Sequence, residues 1–134
     1  MNYRKQQNVI LLTTVYPGIE TYFDDFISSV NAQDNTNFQL LIINDNFKNL
    51  ESHLAKINID KTHVFSSKQS PEMNRIYGIK KCKELYADII IFADSDDTFS
   101  TNRISETINY FNDPKLDILI CLLYTSPSPR DWLQ

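Results

Sequence analysis

Apolar residues follow two alternating patterns along this chain. Val9-Ile-Leu-Leu-Thr13, Phe38-Gln-Leu-Leu-Ile-Ile43 and Ala87-Asp-Ile-Ile-Ile-Phe-Ala93 are short, nearly unbroken runs. Such runs are too short for helices and predict buried strands, with Thr62-His-Val-Phe65 as a further one. Between the runs the period lengthens. Ile19, Tyr22, Phe23, Phe26, Ile27 and Val30 form a helical stripe, with Glu20, Asp24 and Asp25 on the other face. Leu50, Leu54 and Ile57 mark a second helix facing inward. Ser70-Pro71-Glu72 combines an N-cap, a proline at the first helical position and an acid in the first turn. The helix it opens extends to about Tyr86, with Met73, Ile76, Ile79 and Cys82 assigned to one face. A last helix near Thr101 to Phe111 carries Ile104, Ile108 and Phe111 and is closed by Pro114. The run Leu116-Asp-Ile-Leu-Ile120 then predicts a fifth strand.

Strands alternating with helices imply an α/β fold, a mostly parallel sheet with helices on both faces. Ala87–Ala93, the most apolar run, is expected at its centre. Ligands of such sheets bind at the carboxyl ends of the strands. The polar residues that follow the runs are therefore the candidates: Thr13 and Thr14, Asp45, and the cluster Asp94-Ser95-Asp96-Asp97.

Composition narrows the choice of partner. With 134 residues the chain is long enough for one domain with its own core. A formal charge of -4 and no Lys/Arg cluster argue against nucleic acid or an anionic membrane surface as partner. No apolar run approaches the ~20 residues of a membrane span, and the N-terminus lacks a signal-peptide pattern. The two cysteines, Cys82 and Cys121, have no metal-site spacing. A reducing, cytoplasmic setting is the expectation. His53 and His63, the only histidines, are assigned no role.

Two glycines, Gly18 and Gly78, leave no room for a dinucleotide fingerprint or a P-loop. Asp94-Ser-Asp-Asp97 offers another route to a nucleotide. Three carboxylates crowded at a strand end repel one another unless a cation joins them. Hard ions such as Mg²⁺ or Mn²⁺ suit such a set and leave positions open for phosphate. A metal there stabilises the charge that develops on a departing diphosphate.

Five segments, in order, carry a resemblance: Leu12-Thr13-Thr14-Val15-Tyr16, Leu41-Ile-Ile-Asn-Asp45-Asn46, Asn74-Arg75-Ile-Tyr-Gly78-Ile79, Ile91-Phe-Ala-Asp94-Ser-Asp96-Asp97, and Arg103-Ile104. Together they resemble the front half of family 2 glycosyltransferases, which have the GT-A (nucleotide-diphospho-sugar transferase) fold. The resemblance covers residues 8 to 120. It implies a nucleotide-diphosphate sugar as donor, a UDP-sugar favoured, with glycosyl transfer to an unknown acceptor. By the same resemblance Thr13 lies beside the nucleobase, Asp45 accepts from a uracil-like base edge, Arg75 lies near the nucleotide and Asp94 binds ribose. Asp96 holds the metal, and Asp97 supports or shares it. Asn44 stands where the family usually has the first acid of the strand-2 turn. The catalytic base of inverting members comes later in the chain, so no catalytic residue is assigned. Two other readings fit parts of the pattern. Ile89-Ile-Ile-Phe-Ala-Asp94-Ser-Asp96-Asp-Thr98 is similar to the first motif of haloacid dehalogenase-type phosphatases, with Asp94 as nucleophile. A non-catalytic nucleotide-binding fragment is the third reading.

The last fourteen residues read differently. Cys121 to Asp131, CLLYTSPSPRD, matches at every residue the in-frame translation of a transposase adapter used in short-read DNA libraries. Residues 1–120 are expected to be the donor-binding half of a truncated GT-A domain, and 121–134 a non-native tail.

Overall fold

A computed structural model describes residues 7–113. The expected fifth strand at Leu116–Ile120 and the tail at 121–134 lie outside the described residues. The element order is β1 (Val9–Val15), α1 (Glu20–Asn31), β2 (Gln39–Asn44), α2 (Leu50–Leu54), β3 (Thr62–Ser66), α3 (Pro71–Glu84), β4 (Ile89–Phe92) and α4 (Arg103–Tyr110). All described strands pair in parallel, in the order β3-β2-β1-β4. Among the described residues β4 pairs with β1 alone, and β1 and β2 are the inner strands; the run expected as a fifth strand lies outside them.

Alternation along the strands feeds two cores. Val9, Leu11, Val15, Leu40, Ile42, Ile89 and Ile91 pack with residues of α1, α2 and α4. Ile10, Leu12, Leu41 and Ile43 pack on the other face with Cys82 of α3. The α1 stripe is buried as expected at Phe23, Phe26, Ile27 and Val30, but Tyr22, at its margin, is exposed. Leu50 and Ile104 are buried, and Leu54, Ile57, Ile108 and Phe111 pack partly against the same core.

α3 departs most from its expected face. Its start is as expected, with the Ser70 Oγ accepting from the Met73 N–H at 3.2 Å. Its buried residues, however, are Asn74, Gly78 and Cys82, while Met73, Ile76 and Ile79 are 46%, 43% and 37% exposed. A helix turns roughly 100° per residue, so steps of three drift by about 60° each and Met73 ends opposite Cys82. Steps of four drift by only about 40°, which keeps Asn74, Gly78 and Cys82 on one side. That side is small or polar because the helix lies very close to the sheet. A Cβ built on Gly78 would sit 2.7 Å from Leu12 Cδ1. The helix ends where Tyr86 turns left-handed (φ 61°). There the Tyr86 N–H bonds to Lys83 O and the Ala87 N–H to Cys82 O, which satisfies carbonyls of the last turn.

Candidate active site at the strand ends

The chain leaves β1 toward β2 and β3 on one side and returns to β4 on the other, so the order reverses beside β1. At such a reversal the connections diverge and open a crevice outside the carboxyl ends of the strands. The crevice is present here. A cavity of about 300 Å³ is lined by Leu12, Thr13, Thr14 and Tyr16 from β1 and its end, by Pro71 and Arg75 from α3, and by Phe92, Ala93, Asp94 and Ser95 from β4 and its end.

One wall is an acidic turn. The Ala93 N–H donates to Leu12 O at 3.0 Å, extending the ladder past β4, and the Asp97 N–H closes a turn onto Asp94 O at 3.0 Å. Ser95, buried in the middle of the acids, donates from Oγ to Thr14 O at 2.6 Å and latches the turn to β1. With Ser95 turned inward, Asp94, Asp96 and Asp97 are exposed, each with one carboxylate oxygen within 4.8 Å of the others. Burial, and then the Asp94 and Asp96 charges, push the Asp97 carboxyl above its usual range. Tyr16 stands against the same group. Burial, the carboxylate charges and a hydrogen bond to Asp96 push its phenol up as well.

The opposite wall is set by α3. Asn74 is fully buried and bonds to Asp45 Oδ2 at 3.0 Å, tying α3 to the end of β2. The Asp45 N–H donates to Val15 O at 2.8 Å, so Asp45 continues the β1–β2 register opposite Tyr16. Asn44 does not face the cavity as a paired acid would. It closes its own turn, accepting from the Phe47 N–H at 2.8 Å.

The candidates therefore separate by position. Thr13, Arg75 and Asp94 line the cavity; Asp96 and Asp97 stand beside Asp94; Asp45 lies one strand away and is not part of the lining. Thr13 Oγ1 is buried without a hydrogen-bond partner. No ion pair joins Arg75 to Glu72 among the described residues, which leaves Arg75 exposed at the cavity wall. Tyr16, Asn74 and Ser95 also shape the site, although the sequence pattern assigns none of them a role. The histidines are structural: His53 contacts Asp24 at 2.8 Å between the rings of Phe23 and Phe47, and His63 contacts Gln39 at 2.7 Å.

With this geometry in place, residues 11–133 match glycosyl transferase family 2. The chain belongs to that family. Among solved structures it is similar to TarS of S. aureus. The 1–349 fragment in complex with UDP matches with a TM-score of 0.61 at 19% identity, over 78% of this chain and 32% of that one. The same fragment in complex with UDP-GlcNAc matches at 0.61 and 19%, over 78% and 31%. The longer TarS structure matches at 0.61 and 20% identity, over 78% and 19%. At such identity the likeness establishes the fold, which is GT-A. The chain spans about a third of the TarS 1–349 fragment. No curated protein matches it. Family membership sets aside the phosphatase reading, which also wants its acidic motif after the first strand, whereas here three strands precede β4. Among the described residues no helix is long and apolar enough to cross a membrane.

Proposed function

We propose that residues 1–120 form the donor-binding half of a GT-A glycosyltransferase that takes a nucleotide-diphosphate sugar, a UDP-sugar favoured. The observation that carries this reading is the junction of the switch-point cavity with three exposed carboxylates on one latched turn. The carboxylate set fits a divalent ion: its donors are hard oxygens, close together, and their mutual repulsion is relieved by a cation. Asp96 and Asp97 would hold Mg²⁺ or Mn²⁺, which when bound neutralises charge on the diphosphate. Asp94, at the cavity wall, takes the ribose hydroxyls. Thr13 and Asp45 meet the nucleobase, and Arg75 brings a positive charge to the nucleotide. The UDP and UDP-GlcNAc complexes of TarS support the same class of donor. In inverting members of the family the base that activates the acceptor belongs to a later part of the domain, so the role proposed for residues 1–120 is donor binding. The tail at 121–134 takes no part, and the setting is cytoplasmic.

Calorimetric titration of the chain with UDP, with and without Mn²⁺, tests the reading. Mn²⁺ is expected to tighten UDP binding, and Asp96→Ala to abolish that gain. A gain that persists in Asp96→Ala removes the metal assignment.

A further inference from the structure

Asn74 is the most completely hydrogen-bonded side chain near the site, and its partners fix which way its amide faces. Its Oδ1 accepts from Ser67 Oγ at 2.8 Å and from the Gln69 N–H at 3.2 Å. Its Nδ2 donates to Gln69 O at 3.2 Å and to Asp45 Oδ2 at 3.0 Å. Gln69 supplies both a backbone donor and a backbone acceptor, and neither can exchange roles. The amide cannot flip without opposing donor to donor and acceptor to acceptor. A fixed N–H therefore points at whatever occupies position 45.

We propose that Asn74 is a positioning residue for base selection: its fixed donor decides which hydrogen-bonding group position 45 offers to a nucleobase. This rests on the reading that the chain binds a nucleotide with Asp45 at the base. Asn74 engages Asp45 Oδ2 and leaves Oδ1 as the remaining acceptor. An acceptor there suits the imide N–H of uracil and opposes the bare N3 of cytosine. The consequence is specific to the amide's orientation. In Asp45→Asn, the Asn74 donor holds the new carbonyl inward, so the new amide turns its NH₂ outward. The site then offers a donor, and preference passes to cytosine. In the double variant Asp45→Asn with Asn74→Asp, the inner partner becomes an acceptor; it also opposes Gln69 O, which lowers stability, and the thermal melt reads that cost separately from the nucleotide ratio. The new acceptor draws the NH₂ inward and turns the carbonyl outward, and preference returns to uracil. A residue that merely supported the fold would change stability, or weaken both nucleotides in parallel, without reversing their ratio.

The experiment is calorimetric titration of the wild-type chain, Asp45→Asn and the double variant with UDP and with CDP, in Mn²⁺, alongside thermal melts. One hydrogen bond gained or lost corresponds to about a tenfold change in affinity. The expected pattern is UDP over CDP by about tenfold in the wild type, reversal in Asp45→Asn, and return toward UDP in the double variant. Asp45→Asn is nearly isosteric at a half-buried position, so its folding is secure and its ratio alone can decide. A wild type that prefers UDP together with an Asp45→Asn that keeps the same ratio overturns the role of Asn74 and leaves the nucleotide reading standing. A wild type that binds neither nucleotide, or both equally, overturns the underlying reading and the proposal with it.

Discussion

Gly78→Ala adds one methyl group at the closest approach of α3 to the sheet. The new Cβ would lie 2.7 Å and 3.1 Å from the two Cδ atoms of Leu12 and 3.3 Å from Ile43 Cγ1. Relaxed carbon–carbon contacts lie at about 3.5–4.0 Å, so Leu12 or the helix must move by most of an ångström. Leu12 and Ile43 are both buried, and α3 is pinned by the Asn74 bonds at one end and by buried Cys82 at the other. Overpacking of this kind costs about 1–3 kcal/mol. Alanine's better helix propensity returns about 1 kcal/mol. The net expectation is a loss of about 1 kcal/mol, or roughly 4 °C in Tm for a domain of this size. Urea and thermal unfolding of wild type, Gly78→Ala, Leu12→Val and the double variant measure it. Shortening Leu12 removes both Cδ atoms, so the pair should couple favourably by about 1 kcal/mol. Gly18→Ala is the control, because Gly18 has φ +109° with nothing within 4 Å of a built Cβ, so its cost is conformational alone. Gly78→Ala as stable as wild type, with no coupling to Leu12, would refute the close packing that puts Asn74 and Arg75 at the strand ends.

The Asp97 carboxyl is raised by burial and by its acidic neighbours, so ionising it opposes folding. A folded-state pKa above the unfolded one contributes stability below the unfolded value, lost as pH rises through the folded value. Without metal, Asp97→Asn should therefore be more stable than wild type near neutral pH, with the gap closing in acid; urea unfolding across pH checks this, and a gap that widens in acid contradicts it. Burial pushes the Cys82 thiol up to about 11. At pH 8 it should resist a thiol-specific disulfide reagent until the chain unfolds, and prompt modification of Cys82 in the native state would contradict its placement.

Local signals carried much of this fold in the sequence. The apolar runs marked all four described strands, and Ser70-Pro71 marked the start of α3, because burial and capping act within a few residues. The acidic turn is legible for the same reason: three acids directly after an apolar run fall at the carboxyl end of the strand, where they stand exposed and close together. What escaped depended on relations between elements. The buried side of α3 differs from the expected one because Met73, Ile76 and Ile79 suggest a stripe, whereas close approach to the sheet selects Asn74, Gly78 and Cys82. The one available signal was the recurrence of small or polar residues every fourth position. Tyr16 acquires its place from the register that sets it opposite Asp45 and beside Asp96, and Ser95 from a bond to a carbonyl 81 residues earlier in the chain.

On the proposed function, donor nucleotide and divalent metal meet at the carboxyl ends of β1 and β4. Amide NMR spectra of the chain titrated with Mn²⁺, and separately with UDP in Mg²⁺, test it most directly. Mn²⁺ is expected to broaden the resonances of Asp94 to Asp97 and their neighbours Thr14 and Tyr16 first. UDP should then shift Thr13, Asp45 and Arg75. Broadening and shifts gathered at the opposite end of the sheet, around Asn8, Gln39 and Lys61, or spectra unchanged by either ligand, would contradict it.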